Sequence, residues 1–156
     1  MRIATLALAA SAMLLASAVA SANGGPDSGA DAAGVIAGRQ AGMRMSGAII
    51  GEMKAVIDSA GDVKTQGFAA RSLAGWAKAI PGMFPLGSGG APSGALAAVW
   101  TDRAGFEAKA AAYAAAAARL ADLAKVGDAA GFAAQWGEVR AACGACHETY
   151  KKPDPH

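Results

Sequence analysis

The residues best suited to do chemistry lie near the C-terminus, in the run Cys143-Gly144-Ala145-Cys146-His147. Two thiols at this spacing, followed directly by a histidine, can add across the vinyl groups of a haem while the imidazole reaches the iron. On a helix these three side chains are three and four residues apart, so they project from one face toward one planar ligand. The motif therefore predicts one covalent haem on Cys143 and Cys146, with His147 as an axial iron ligand.

Three other uses of the cysteine pair are a thioredoxin-like redox site, a zinc site and a nucleophilic cysteine. A thioredoxin-like pair needs a βαβ context that the sequence lacks. A zinc site needs four ligands, and the chain adds only His147 and His156 to the two thiols. A nucleophile needs a separate histidine base. Haem attachment is the only use for which the motif is complete, and no residue is predicted to be catalytic, so the chain is not expected to be an enzyme.

The first 22 residues have the pattern of a secretory signal peptide. Arg2 precedes an apolar run that reaches Val19, and an Ala-x-Ala sequence ends at Ala22. The run is short for a membrane span, which favours cleavage after Ala22 over an uncleaved anchor. Residues 23–156 then suffice for one domain. We expect export to the periplasm without stable membrane insertion.

The charge balance argues against a nucleic-acid partner. Without Arg2, thirteen basic residues face twelve acidic ones, and the basic residues are scattered along the chain. Lys151 and Lys152 are the exception, and such a pair commonly ends a solvated helix.

Four segments show the three- and four-residue apolar steps of amphipathic helices. They cover residues 31–60, 62–80, 101–126 and 128–152. Asp62, Asp128 and either Thr101 or Asp102 are predicted N-caps, and Gly127 interrupts the pattern between the last two helices. No segment alternates apolar and polar residues as a strand would. The predicted fold is all-α, a four-helix antiparallel bundle with up-down-up-down order.

Residues 81–98 separate the second and third predicted helices. This segment carries three prolines and five glycines up to Gly94, so it is predicted to be a long ordered loop. Long ordered loops are often functional.

Several further residues stand where one family of haem proteins places them. They are Arg39, Gln40, Trp100, Asp102, Phe106, Tyr150 and Lys151, together with the cysteine-histidine motif. In these positions the chain resembles the class II cytochromes c, the cytochrome c prime family, over essentially all of residues 23–156. The resemblance implies a four-helix bundle with one haem near its C-terminus.

Met43, four residues after Arg39, is the main departure from the family pattern. The resemblance implies that this position faces the distal side of the iron, where high-spin members carry leucine or phenylalanine. A subgroup similar to cytochrome c-556 carries methionine there, and a thioether opposite histidine gives a six-coordinate, low-spin iron. Met43 is therefore predicted as the sixth ligand. Alternatively, it fills space beside the haem without binding iron.

The resemblance also implies that Arg39 pairs with a haem propionate, for which a guanidinium fork is well shaped. A solvated surface charge is the alternative. Lys151 matches a basic position on the proximal side, and a plain helix-end charge fits it equally well.

Two functions remain open. The first is an electron carrier with His147 and Met43 as axial ligands, working between redox partner proteins. The second is a five-coordinate haem protein that binds nitric oxide or carbon monoxide as a buffer or sensor. Gly34, Gly38 and Gly42 recur every four residues and allow close helix approach, either inside the bundle or in a homodimer through the first two helices.

Overall fold

The computed structural model describes residues 28–153, and this range is mostly helical. Its α-helices are α1 (Ser28–Asp58), α2 (Gly67–Ala79), α3 (Ala98–Thr101), α4 (Arg103–Val126) and α5 (Ala129–Tyr150). Two short 3-10 helices flank α2, at Val63–Gln66 and Ile80–Met83. The predicted signal peptide and His156 lie outside the described residues.

The four long helices, α1, α2, α4 and α5, form the predicted four-helix bundle, and α3 is a single turn. Helix α4 packs against both α2 and α5, while α1 contacts α5 and α2. Between residues 28 and 153 the structure has no β-strand, only one antiparallel bridge between Ala95 and Lys151. The all-α prediction is confirmed. None of these helices is both long and apolar enough to cross a membrane.

Side-chain caps fix where the last two long helices begin. The Asp102 carboxylate accepts the Gly105 N–H at 3.2 Å, and the Asp128 carboxylate accepts the Gly131 N–H at 2.9 Å. Gly127 ends α4 in the left-handed region, with φ of 78°. Both predicted caps are therefore confirmed, with Asp102 rather than Thr101 opening α4.

The second bundle helix begins later than its predicted start at residue 62. Asp62 does act as a cap, but it accepts the Lys64 N–H at 2.9 Å and so opens the 3-10 helix Val63–Gln66. This tight turn buries Val63 and Gln66. Helix α2 follows only from Gly67, because the first four residues are wound with the 3-10 repeat.

Alanines allow α4 to lie close to both of its neighbours. Ala110, Ala117 and Ala124 recur every seven residues along α4 and are all buried. Ala70 and Ala77 are buried on the facing helix α2. Alanine loses no side-chain entropy on burial, so a long helix can pack closely along its length at little cost. The largest fully buried side chains fill the space beside these contacts: Phe106, Phe132, Met53, Leu73 and Leu120.

Only one of the three spaced glycines on α1 is needed for close packing. A Cβ on Gly42 would lie 2.5 to 2.8 Å from three atoms of the Trp76 ring on α2. A Cβ on Gly38 would touch only Met83, at 3.6 Å, and one on Gly34 would meet nothing within 4 Å. The close approach of α1 and α2 is therefore set by Gly42 and Trp76.

We expect Gly42→Ala to destabilise the bundle by about 1–3 kcal/mol, because the added methyl overpacks against a rigid indole. Urea unfolding of the purified protein measures this change. Gly47→Ala on the same helix is the matched control, since its Cβ would meet nothing within 4 Å. The control should gain about 1 kcal/mol from helix propensity. Equal stabilisation by both substitutions would disprove the close contact.

Candidate haem site

A cavity of about 420 Å³ lies among α1, α4 and α5. From α5 it is lined by Cys143, Cys146 and His147, and from α1 by Arg39 and Met43. The structure therefore brings together, around one space, every site residue that the sequence predicts.

The two thiols face the cavity from one side of α5. Both are partly buried, and burial raises the pKa of each, while neighbouring Arg140 lowers the pKa of Cys143 in part. A raised pKa keeps each sulfur protonated at neutral pH. Protonated thiols carry the hydrogen that must be added, with the sulfur, across a vinyl double bond. The chemical state of the pair thus suits thioether formation.

The remaining walls are mainly apolar and aromatic. Ile80, Val99 and Ala110 line the cavity together with Phe84 and Phe106. The Phe84 and Phe106 rings meet edge to face, with centroids 5.0 Å apart. Such walls suit a flat, largely apolar group.

The charged side chains that line the cavity are all basic. Within residues 28–153 they are Arg39, Arg44, Lys109 and Lys151, and no carboxylate accompanies them in the lining. A haem brings two carboxylates, so the charge of the cavity is complementary to it. With two thiols and an imidazole on one wall, the residues present fit a covalent haem.

Arg39 is a buried cation held by neutral groups of the connecting loop, residues 84–97. Its side chain is 3% exposed, and its amino groups donate to the Ser88 hydroxyl at 2.8 Å, the Ser88 carbonyl at 2.6 Å and the Ser93 hydroxyl at 2.5 Å. A fourth bond of 3.2 Å reaches the Met83 carbonyl, and the guanidinium carbon lies 4.3 Å from the Phe84 ring centroid. Burial lowers the pKa of Arg39. Pairing with a propionate stays a prediction, whereas anchoring of the loop is the role that the structure reveals.

The connecting loop is also hydrogen-bonded to the last residue of α5 and to the residues that follow it. The Leu96 N–H donates to the Tyr150 carbonyl at 2.9 Å, and the Lys152 N–H donates to the Gly94 carbonyl at 2.8 Å. The Lys152 ammonium donates to the Ser93 carbonyl at 3.2 Å. Gly94 and Ala95 line the cavity, so these bonds hold one of its walls in place.

Four residues of the family pattern have structural roles around this wall: Tyr150, Asp102, Trp100 and Gln40. The Tyr150 hydroxyl donates to the Asp102 carboxylate at 2.7 Å and thereby joins the end of α5 to the start of α4. The Trp100 indole N–H donates to the Phe84 and Pro85 carbonyls. Gln40 donates to the Pro92 carbonyl at 3.0 Å. The sequence alone indicates that these positions matter but not which groups they join.

Met43 lines the cavity and is partly buried, whereas Met45 on the same helix is 64% exposed. This placement agrees with the helical geometry that separates the two methionines by more than a third of a turn. Lys151 also lines the cavity.

Tyr113 is not among the site residues that the sequence predicts. Tyr113 of α4 reads as a core aromatic in the sequence, yet it lines the cavity, and its buried hydroxyl has no hydrogen-bond partner. Its position seven residues after Phe106 is the only sequence signal that it faces the same way.

A four-helix bundle whose last helix presents a Cys-x-x-Cys-His motif to a cavity is a class II c-type haem protein. A family model described as Cytochrome C' matches residues 34–151. The chain belongs to the cytochrome c' family, which carries one covalently bound haem c.

Solved structures agree with this assignment. Cytochrome c' from Rubrivivax gelatinosus is 30% identical, with a TM-score of 0.69 over 76% of this chain and 94% of that one. A nitric oxide complex of a variant of cytochrome c prime from Alcaligenes xylosoxidans is 25% identical, with a TM-score of 0.72 over 78% and 97%. A cytochrome c' with a ligand-controlled dimer dissociation is 24% identical, with a TM-score of 0.73 over the same shares. A search of curated proteins found no match.

These comparisons correct the predicted function. The prediction of an electron carrier with Met43 as a sixth iron ligand was wrong, because the family and its solved members are cytochromes c', including a nitric oxide complex. A haem that takes up nitric oxide needs an iron position that no strong protein ligand holds closed. Nothing in the comparisons supports the c-556 subgroup. Redox partners stay an untested prediction.

We expect Arg39→Lys to destabilise the protein by about 2 kcal/mol or more, since a single ammonium replaces a fork with four bonds and leaves buried carbonyls unpaired. Thermal unfolding measures the loss, and limited proteolysis within residues 84–97 reports release of the loop. Arg44→Lys, at an exposed position on the same helix, is the control and should change neither. Equal behaviour of the two variants would show that Arg39 does not anchor the loop.

The hydrogen bond to Asp102, together with burial, raises the pKa of Tyr150 from 10.0 to about 12. Because the folded pKa is the higher one, the stabilisation is complete below pH 10 and is lost as the pH rises to about 12. We expect Tyr150→Phe to flatten the fall in unfolding free energy across this interval, as measured by urea unfolding at a series of pH values. An unchanged slope would contradict the bond.

Proposed function

We propose that this protein is a periplasmic haem protein that binds nitric oxide or carbon monoxide and serves as a gas buffer or sensor rather than an enzyme. In this proposal Cys143 and Cys146 hold the haem and His147 is its one protein ligand to iron. The observation that carries the proposal is the nitric oxide complex of a structure that this chain matches along most of its length. The bound haem supplies an iron that can take a diatomic gas.

The cavity has walls suited to this task. Helix α5 supplies the two thiols and the imidazole on one side, so a haem held by them would have α1 and α4 on its other side. There the lining includes the apolar side chains of Met43, Phe106 and Ala110, beside the cations Arg39, Arg44 and Lys109. The apolar side chains suit a small neutral ligand, and the cations suit the haem carboxylates.

We propose that Met43 packs beside the haem as an apolar side chain. A flexible thioether fills an irregular space well. A permanent bond from its sulfur would occupy the position that the gas requires. Met43 therefore limits the room on the open side without closing it.

We also propose that a homodimer forms through α1 and α2. Each of these helices exposes one large apolar side chain, Met45 on α1 and Phe68 on α2. Exposed apolar side chains form protein contacts where they lie together in one patch, and the proposal requires that Met45 and Phe68 do so across the two subunits. Of the solved cytochromes c' described above, one undergoes dimer dissociation under ligand control.

We expect the purified holoprotein to show a high-spin optical spectrum and to change it readily when carbon monoxide is added to the reduced form. Met43→Leu should keep this behaviour, because leucine also leaves the iron position open. Met45→Leu, at the exposed neighbouring position, is the matched control. Sharp low-spin bands that resist carbon monoxide in the wild type and disappear only in Met43→Leu would refute the proposal.

A further inference from the structure

Among the described residues, three buried side-chain atoms lack a hydrogen-bond partner: Gln66 Oε1, Trp76 Nε1 and Tyr113 Oη. Only Tyr113 also lines the cavity, and its side chain is 6% exposed. A buried hydroxyl without a partner costs free energy, and native structures seldom leave such a group unpaired unless something else binds it. The cavity is the space from which a partner for this hydroxyl would come.

The hydroxyl of Tyr113 lies where α4 meets α1 and α5. Cys143 of α5 raises the pKa of Tyr113 and the neighbouring Ser46 hydroxyl of α1 lowers it, but the contact between Ser46 and Tyr113 falls short of hydrogen-bond geometry. The Ser46 hydroxyl already donates to the Gly42 carbonyl at 2.9 Å. Ser46 follows Met43 by three residues, so both lie on the same face of α1. Tyr113 and Met43 therefore line the same cavity where α4 faces α1.

We propose that the Tyr113 hydroxyl donates a hydrogen bond to the diatomic gas held in the cavity. This inference rests on the proposed gas-binding function and deepens it. The outer atom of such a ligand is a weak acceptor, and the apolar lining residues Met43, Phe106 and Ala110 offer it no hydrogen bond. A single donor in such surroundings fixes the tilt of the ligand and slows its release.

The protonation state of Tyr113 supports a permanent donor. Burial raises the pKa of Tyr113 to about 12, so the hydroxyl keeps its proton throughout the physiological range. The donor strength should therefore not vary with pH near neutrality.

The test compares wild type and Tyr113→Phe as reduced holoproteins saturated with carbon monoxide. We expect the carbon–oxygen stretch, measured by infrared spectroscopy, to move to higher frequency in the variant, because a hydrogen bond to the oxygen lowers it. Release of carbon monoxide should become about fivefold faster, the effect of one ordinary hydrogen bond. A higher stretching frequency together with faster release would identify a direct contact between the Tyr113 hydroxyl and the ligand.

Ser72→Ala is the control, because it also removes one hydroxyl, that of a residue on α2 outside the cavity lining. It should leave the stretch and the release rate unchanged. Thermal unfolding without gas checks the fold, and Tyr113→Phe should be as stable as wild type there, since only an unpaired hydroxyl is removed.

Identical stretches and release rates in wild type and Tyr113→Phe would overturn the inference while leaving the proposed function intact. A shift of equal size in Ser72→Ala would overturn it as well, because the effect would then be general. Failure of the wild type to take up carbon monoxide at all would instead refute the proposed function.

Discussion

The architecture of the site depends on one buried cation. The side chain of Arg39, on α1, is shielded from water. It is surrounded by carbonyls, hydroxyls and the face of Phe84 rather than by a carboxylate. Neutral acceptors compensate a guanidinium only when several of them converge, so the loop that supplies them must adopt one conformation. A segment rich in glycine and proline, which has few apolar side chains of its own to bury, is ordered in this way. The loop can therefore form one wall of the cavity because its polar groups bind the buried guanidinium of Arg39 on α1.

The same wall is shared by parts of the chain that are far apart in sequence. Arg39 lies 49 residues before Ser88, and Lys152 lies 59 residues after Ser93. A third link is the Tyr150–Asp102 hydrogen bond, which joins the end of α5 to the start of α4. The helix that carries the cysteines is thus fixed relative to the loop and to α1, which keeps the thiols and the imidazole aimed at one space.

Much of this could be predicted from the sequence, because helical periodicity and caps are local properties. Asp102, Gly127 and Asp128 set helix boundaries through bonds that span a few residues, and the cysteine-histidine spacing places three side chains on one face by helix geometry alone. The partners of Arg39 were not predictable, since Ser88 and Ser93 sit in an irregular loop whose path no periodicity describes. The unpaired hydroxyl of Tyr113 was not predicted, because sequence periodicity is the same for an aromatic residue in a filled core and for one beside a cavity. The choice between an open and a closed iron position was beyond the sequence, since a methionine can pack or bind with the same spacing.

The bridge between Ala95 and Lys151 has a consequence for the order of assembly. The wall formed by Gly94 and Ala95 is completed only after α5 has folded along its whole length and residues 150–152 are in place. Contacts so distant in sequence form late, because a long stretch of chain must be ordered first. We therefore expect the side of the cavity lined by Gly94 and Ala95 to be accessible to a large, flat cofactor until these contacts form.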